Sequence, residues 1–411
     1  PPLPSILLAA WWHLSGFVVS GTRTLVCMVS AAALLGVYKL ARNLTNTAVA
    51  TVVTVLTAIY PIWFAQSTLA HADIFAAAFT LWALAFYLEP APVSSPRNQI
   101  SVAFLFSLAA LSKETAIVTP AALAAWEAVL CIRSGRDKEQ RRRHAGWVLA
   151  LLVPILPLSA WYAYHYHATG FVFGNPQFLR YNATANLDLH RIVLSLWHRL
   201  LHLTTHMNLY VAVVCAAAAL FIPTTSTSPK ALPRPTLEAI AVIIATNWVA
   251  FSMLGGALLT RYLLPVYPLI LLLCVAMWHR HLRRWWLLAA LTAAAFLAGI
   301  WVNPPYAFAP EDNLAYRDMV MLHVEAAHII EHRYPQATVL TAWPATSELS
   351  RPELGYTHIR IKTTAIDNFS LGEIEKAEAD PGSFDTALIF STKVEPRGVD
   401  RLQETEVVPF G

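Results

Sequence analysis

A chain of 411 residues is long enough for about two or three soluble domains, but 56% of its residues are hydrophobic, only 13% are charged, and its mean hydropathy is +0.49. This balance is typical of a polytopic membrane protein and argues against an ordinary soluble one. The formal net charge of +4 is small, and the basic residues lie in short clusters between apolar runs, so we expect no nucleic-acid partner.

The chain opens on "PPLPSILLAAWWHLSGFVVSGTR", which has no basic first region and no small-residue cleavage site. These features are not those of a signal peptide. We therefore expect a further segment to precede Pro1. Residues 4–20, with Trp11 and Trp12 beside His13, are typical of a helix that lies in the membrane interface.

Ten apolar stretches follow, each close to the length of about 20 residues that a membrane crossing requires. They are predicted at residues 23–41, 47–65, 73–89, 98–112, 115–132, 147–166, 207–223, 237–257, 261–279 and 284–302.

The loops between these stretches alternate in charge. One set holds clusters of lysine and arginine, including "RSGRDKEQRRRH" at 133–144 and "HRHLRR" at 279–284, whereas the other set holds only isolated basic residues. Basic loops mark the cytoplasmic side of a membrane protein. The turn at 66–73, the Lys113-Glu114 turn and the segment 167–202 are therefore predicted to face outward.

The composition changes after Asn303. "AYRDMVMLHVEAAHIIEHRYPQ" has helical spacing of apolar residues, and "ATVLTAW", "THIRIKTT" and "DTALIFSTK" are short β-rich runs. We predict a transmembrane domain at 1–303 and a small extracytoplasmic α/β domain at 304–411. The fold class is thus an all-α polytopic membrane protein of about ten spans, with this domain attached.

Asp73 stands at the mouth of two predicted spans, with His71 two residues before it. On a purely structural interpretation, Asp73 is the N-cap of a helix that begins at Ile74 and accepts backbone N–H bonds there. The functional interpretation places Asp73 and His71 in an outward cavity, where they take a proton from an acceptor hydroxyl or bind a metal ion.

Two further residues could neutralise a phosphate at this face, Lys113 and Arg261. Lys113 lies between two apolar segments, although Lys113 and Glu114 also fit a solvated helix turn. Arg261 follows a Gly-Gly turn and could either reach lipid headgroups or bind phosphate oxygens with its planar fork. Tyr262 and Tyr267 beside it are candidates for lining a sugar or polyprenyl groove.

The outward segment around 167–202 is rich in aromatic residues. Aromatic residues at this depth commonly form only the interface belt. Their mixture with glycine, asparagine and proline also fits a loop that closes over a sugar, and on this interpretation the candidate lining residues are Tyr162, His165, Arg180 and Tyr181.

Three residues of the tail, His328, Glu331 and His332, lie on one predicted helix. Their spacing differs from the zinc motif HExxH, so an exposed polar face is the favoured interpretation. The sequence also contains no metal-ligand spacing such as CxxC and identifies no cofactor, and a divalent metal ion is left open.

Several stretches, taken together and in order, resemble membrane glycosyltransferases of the GT-C fold. The most similar groups are the protein O-mannosyltransferase type and the lipid A aminoarabinose transferase type, including RgtA/B/C/D-like bacterial members. The resemblance covers about residues 1–280 and is carried by "PPLPSILLAAWWHLSG", "GTRTLVCMVSAAALLGVYKLAR", "YPIWFAQSTLAHADIFAAAFTLWALAFYL", "LSKETAIVTPAAL", "ATGFVFGNPQFLRYN" and "RYLLPVYPLILLL".

The resemblance implies a hexosyl- or pentosyltransferase in the cytoplasmic (inner) membrane. Such enzymes pass a sugar from a polyprenyl-phosphate donor to a lipid, glycan or protein acceptor at the outer face. It also implies two outward acidic residues. The first, the catalytic base, is expected before Pro1, and Asp73 matches the second, which would assist the base or bind a metal ion. Lys113 and Arg261 would then stabilise the leaving phosphate, and a single displacement would invert the anomeric centre.

Two other classes compete with this function. A secondary transporter would place charged residues along an ion or substrate path. However, the candidate charges gather at one face and no half-to-half repeat is visible. The second rival is a non-catalytic membrane assembly protein that keeps the fold.

Overall fold

The computed structural model describes residues 2–89, 96–174, 188–224, 229, 231–254 and 258–390. These residues form two compact units. One unit consists of residues 2–11 and 22–314, and the other of residues 12–21 and 315–390. The division of function between residues 1–303 and 304–411 stays a prediction.

α-Helices make up most of the chain up to residue 301. In order they are α1 (Leu3–Ser15), α2 (Val19–Leu44), α3 (Thr47–Ile59), α4 (Pro61–Gln66), α5 (Ala72–Tyr87), α6 (Pro96–Ser112), α7 (Val118–Arg133), α8 (Lys138–Leu152), α9 (Ile155–Thr169), α10 (Leu189–Thr204), α11 (Leu209–Ala219), α12 (Arg234–Met253), α13 (Tyr267–His281) and α14 (Trp285–Trp301). Short 3₁₀ turns lie at Glu114–Ile117, His206–Asn208, Thr260–Leu263 and Pro310–Asp312.

Helix boundaries follow local chemistry. Asn46 and Asp188 cap α3 and α10 by accepting backbone N–H bonds from Val49 and Arg191, which satisfies donors that a helix start leaves unpaired. Prolines interrupt two of the predicted spans, since Pro61 begins α4 and Pro154 lies between α8 and α9. A proline has no N–H to donate to the preceding turn, so a continuous helix breaks there.

Five helical segments are long and apolar enough to cross a membrane: Val19–Leu44, Glu114–Arg133, Lys138–Thr169, Leu189–Ala219 and Arg234–Met253. Three shorter apolar helices lie at Thr47–Ile59, Ala72–Tyr87 and Trp285–Trp301. The protein is therefore an integral membrane protein, and the number of ten crossings stays a prediction.

The segment 167–202, which the sequence predicts as an outward loop, is not a loop throughout. Its second half forms helix α10. Its buried residues Ser195, Arg199 and Leu203 are spaced four apart, so they share one helix face. The arginines and histidines of "LHRIVLSLWHRLLH" obscured this stripe, because an arginine occupies a position that normally holds an apolar residue.

Large aromatic side chains fill the helical core of the first unit. Tyr60 is fully buried and packs against Tyr267 and Phe296, with ring centroids 5.0 Å apart in both pairs. Trp63 is also buried and donates its indole N–H to Ser30 Oγ at 3.1 Å. Such rings bury much apolar surface and find a partner for each polar atom, so this core holds α3, α4, α13 and α14 at fixed positions.

The second unit contains a small parallel sheet. Its elements are α15 (Ala315–Arg333), β1 (Thr338–Ala342), α16 (Ala345–Ser350), β2 (Lys362–Ile366), α17 (Leu371–Glu378) and β3 (Thr386–Ala387). β1 lies in the middle, pairing Thr338 with Lys362 on one side and Val339 with Thr386 on the other. β1 and β3 fall within β-rich runs noted in the sequence, and β2 begins within "THIRIKTT" and ends two residues after it.

Candidate functional site

Asp73 lies in the first turn of α5, but it is not the helix cap. His71 occupies the cap position and makes no side-chain cap bond. The Asp73 carboxylate contacts Lys113 Nζ through Oδ1, and its Oδ2 lies 3.4 Å from Arg261 Nε. The structure therefore brings together Asp73, Lys113 and Arg261, which come from three separate turns of the chain.

Tyr262 forms the floor of this group. Lys113 Nζ lies 3.7 Å from the centre of its ring, and the guanidinium carbons of Arg199 and Arg261 lie 5.7 and 5.9 Å from it. The negative face of an aromatic ring attracts cations within about 6 Å. One tyrosine thus helps to hold three positive charges close together, which is an arrangement suited to an anionic ligand.

Arg261 also pairs with a carboxylate that sequence reasoning missed. Its Nη1 contacts Glu311 Oε1, in the 3₁₀ turn that follows α14. The Glu311 carbonyl accepts a bond from Gln66 Nε2 at 3.2 Å, and Gln66 Oε1 lies 2.8 Å from His71 Nδ1. These bonds join the turn after α4 to the turn after α14 and position Arg261 between two carboxylates.

Arg199 is the second residue that the sequence did not reveal. It is 1% exposed and donates Nη1 to the Leu259 carbonyl, but its Nε has no hydrogen-bond partner. Within the described part of the chain, no carboxylate lies in ion-pairing distance of its guanidinium. A buried cation without a counter-ion is costly, so Arg199 has capacity left for an anion.

A buried carboxylate, that of Asp312, lies in a hydrogen-bond network next to these turns. Asp312 is fully buried, receives a hydrogen bond from Thr260 Oγ1 and lies 2.9 Å from His206 Nε2. Met207, next to His206, has a left-handed backbone with φ 48°. Such strain in a non-glycine residue costs about 1–3 kcal/mol and persists only where the surroundings hold it. In this case the Tyr306 hydroxyl accepts the Met207 N–H at 3.1 Å.

The cavity beside the ion pairs is small in this structure. It measures about 20 Å³ and is lined by residues that include Asp73, Lys113, Arg261 and Tyr262. A space of this size holds about one water molecule. The carboxylates of Asp73 and Glu311 pair with Lys113 and Arg261. A larger anion would have to displace these carboxylates in order to reach the two cations. Because Asp73 already lies between two cations, it is poorly placed to bind a metal ion.

The remaining predicted residues divide into three groups. Tyr267 lies in the core, where its hydroxyl donates to the Thr260 carbonyl at 3.2 Å. Glu114 follows Lys113 directly and begins a 3₁₀ turn. The ring of Tyr162 packs against Phe173 at a centroid distance of 5.2 Å, whereas His165 bonds to the Phe171 carbonyl near the end of α9. Arg180 and Tyr181 lie outside the described residues.

His71 is uncharged near neutral pH. Burial and the positive charge of Arg261 lower its pKa from 6.5 to about 4, with Lys113 acting in the same direction and Asp73 opposing it. A lowered histidine pKa means that the unfolded state binds the proton more readily. This contribution to stability is present above about pH 6.5 and is lost as the pH falls through about 4.

We therefore expect the unfolding temperature of the purified protein in detergent to fall between about pH 6.5 and pH 4. The variant His71→Gln is expected to give a flatter profile over this range, and His167→Gln, at an exposed histidine of α9, serves as a control that keeps the parent slope. Coinciding profiles for His71→Gln and the parent protein would contradict this assignment.

Residues 1–161 match the model of a protein family described as dolichyl-phosphate-mannose-protein mannosyltransferase. No curated protein sequence is similar enough to the chain to be matched. The matched part of the family model includes Asp73 and Lys113.

Two crystal structures of ArnT from Cupriavidus metallidurans share the architecture of the chain. The apo form is 15% identical, with a TM-score of 0.59, over 94% of this chain and 79% of the ArnT chain. The form bound to undecaprenyl phosphate is 14% identical, with a TM-score of 0.56 and the same coverage of both chains. At this identity the likeness shows the fold. The resemblance seen in the sequence is thereby confirmed: residues 1–161 are similar to the mannosyltransferase family, and the chain shares the fold of ArnT.

Proposed function

We propose that this protein transfers a sugar from a polyprenyl-phosphate donor to a hydroxyl group of a lipid, glycan or protein. The observation that carries the proposal is the group of Lys113, Arg199 and Arg261 around the ring of Tyr262. Cations fixed in a partly buried site stabilise the charge that develops on a leaving phosphate. The hexosyl or pentosyl nature of the sugar follows only from the resemblance.

In the proposed reaction the donor phosphate replaces the carboxylates that hold the cations. Phosphate oxygens would take the places of Asp73 Oδ1 on Lys113 and of Glu311 Oε1 on Arg261, and Arg199 would supply its unpaired Nε–H. The planar fork of arginine suits this contact because it donates two parallel hydrogen bonds. The released Asp73 carboxylate would then lie beside the bound phosphate.

The chemical step is a single displacement. The acceptor oxygen attacks the anomeric carbon, the bond between that carbon and the phosphate oxygen breaks, and polyprenyl phosphate leaves as an anion. The acceptor proton passes to the Asp73 carboxylate, which acts as a general base. Attack opposite the leaving group inverts the anomeric centre.

Several features support this setting. The ArnT structure with undecaprenyl phosphate shows that one protein of this fold binds such a carrier. The positive-inside pattern supports ten crossings of the inner membrane, with the turns that carry Asp73, Lys113 and Arg261 on the outside. On this topology residues 304–411 form an extracytoplasmic α/β domain, and the lipid tail of the donor lies among membrane lipids between spans.

The positions of the charged residues distinguish this proposal from a secondary transporter and from a non-catalytic assembly protein. A transporter places its charged residues near the middle of the membrane, between repeats. Lys113, Arg261 and Glu311 of this site instead lie at or in short turns, at Lys113, Thr260–Leu263 and Pro310–Asp312, while Arg199 reaches the site from α10. An assembly protein would not need a buried arginine that has no carboxylate in ion-pairing distance among the described residues.

Binding of the carrier lipid tests the proposal before the sugar is known. In nanodiscs, undecaprenyl phosphate is expected to bind at least tenfold more tightly than undecaprenol. The reason is that charge-assisted hydrogen bonds contribute about 1.5–3 kcal/mol each, and about 1.4 kcal/mol corresponds to a tenfold difference in affinity.

Equal affinity for the two lipids would overturn the phosphate site. A panel of labelled hexosyl and pentosyl phosphoundecaprenols then separates the classes. A transferase releases undecaprenyl phosphate and labels an acceptor with inverted configuration, whereas a transporter moves the label across the membrane with its bonds intact.

A further inference from the structure

A second polar cluster lies in the other compact unit, formed by residues 12–21 and 315–390. His328 and Glu331 are three residues apart on α15, so they lie on one face of that helix. His358 comes from the segment that precedes β2, 27 residues after Glu331. The cluster therefore joins two parts of this unit that are distant in the chain.

The Glu331 carboxylate is held in one orientation. The residue is 8% exposed, and its Oε1 accepts backbone N–H bonds from His358 at 2.6 Å and from Ile359 at 2.8 Å. Its Oε2 lies 3.1 Å from His358 Nδ1. Two backbone donors thus fix one carboxylate oxygen and direct the other toward the imidazole rings.

Both imidazole rings lie close to the Glu331 carboxylate. The rings of His328 and His358 stack at a centroid distance of 5.7 Å and an interplanar angle of 22°. One ligand atom from each of His328, Glu331 and His358 lies within 4.8 Å of the other two. A zinc ion with bonds of about 2.0–2.2 Å in tetrahedral geometry needs ligand atoms about 3.4 Å apart. The side chain of His358 is 80% exposed, so its ring has room to adjust toward this spacing.

We propose that His328, Glu331 and His358 bind one zinc ion, which ties α15 to the segment before β2. Two imidazole nitrogens and one carboxylate oxygen are ligands that zinc favours. The fourth position would be open to water, because His358 faces solvent. The backbone bonds to Glu331 Oε1 act as the supporting contacts that orient a ligating carboxylate.

His332, the third residue of the helical pattern seen in the sequence, has a different role. Its Nδ1 lies 2.8 Å from the His328 carbonyl, and since a carbonyl only accepts, His332 donates to its own helix. The ligand that completes the cluster is instead His358, which no spacing along α15 could reveal. The cluster belongs to the second unit, so this inference stands independently of the proposed glycosyl transfer.

The test uses the full chain in detergent, without a histidine tag, after removal of metal by a chelator. Titration with Zn²⁺, and with Co²⁺ as a spectroscopic probe, is expected to show one ion per chain and the absorption of a four-coordinate Co²⁺ site. His358→Ala and Glu331→Gln are each expected to weaken binding at least tenfold. Glu331→Gln keeps an oxygen that can accept the two backbone bonds, so a loss of binding reports the ligand and not the fold.

Glu325→Gln is the matched control, because Glu325 is an exposed residue of the same helix outside the cluster. It is expected to bind zinc as the parent protein does. Hydrogen exchange of residues 355–362 provides a second readout and should slow on addition of zinc in the parent protein but not in His358→Ala. Unchanged affinity in the Glu331→Gln, His358→Ala double variant, or no saturable binding in the parent protein, would overturn the site.

Discussion

Asparagine at position 73 is expected to lower the rate of sugar transfer by about 10²–10⁴-fold, the usual contribution of a general base. The same change is expected to leave the binding of undecaprenyl phosphate unimpaired, or to tighten it. The reason is geometric. The Asp73 carboxylate contacts Lys113 and lies 3.4 Å from Arg261 Nε, so it competes with phosphate for both cations, and asparagine competes less.

The measurements are the dissociation constant of undecaprenyl phosphate in nanodiscs and the single-turnover rate with a labelled donor. Asp318→Asn is the matched control, since the Asp318 side chain is 63% exposed and pairs with the neighbouring Arg317. Exposed pairs of this kind contribute about 0–1 kcal/mol. Retained transfer in Asp73→Asn would remove Asp73 from the chemistry, and weaker lipid binding would show that it supports the site instead of competing with the ligand.

Part of this site could be predicted because its residues interrupt apolar runs at predictable places. Asp73, Lys113 and Arg261 each stand at the end of an apolar stretch, and the alternation of charged loops put their turns on one side. The interruptions at Pro61 and Pro154 follow from proline chemistry. Local pattern and loop charge therefore indicate which turns share a face.

The same reasoning could not find Arg199, Glu311 or Asp312. Arg199 faces the core from a helix that its polar sequence disguised as a loop, and Glu311 and Asp312 follow the last predicted span. Their partners Arg261 and Thr260 are about 50 residues away along the chain. Pairing over such separations depends on how the helices pack, and no local period in one sequence records that packing.

The variant Arg261→Ala is expected to weaken the binding of undecaprenyl phosphate, which is the opposite of the effect expected for Asp73→Asn. Arg261 lies against both Asp73 and Glu311, so its loss leaves two carboxylates facing the incoming phosphate. We expect undecaprenyl phosphate to bind at least 10²-fold more weakly, because removing one partner of a partly buried charge pair costs about 2–5 kcal/mol. Arg261→Lys should bind at an intermediate level, because one ammonium cannot reproduce the fork that spans two oxygens.

A double-mutant cycle shows whether the opposite changes in lipid affinity come from the charges in the site or from support of the fold. In the Arg261→Ala background, Glu311→Gln removes a carboxylate that has lost its cation, so it should recover part of the lipid affinity. Arg234→Gln controls for loss of an arginine, as its side chain is 89% exposed and pairs with Glu238 one turn along its own helix. Asp73→Asn and Arg261→Ala break the same ion pair, so a structural role predicts that both variants lose affinity together. A phosphate site predicts that only Arg261→Ala loses it, since only that change removes positive charge.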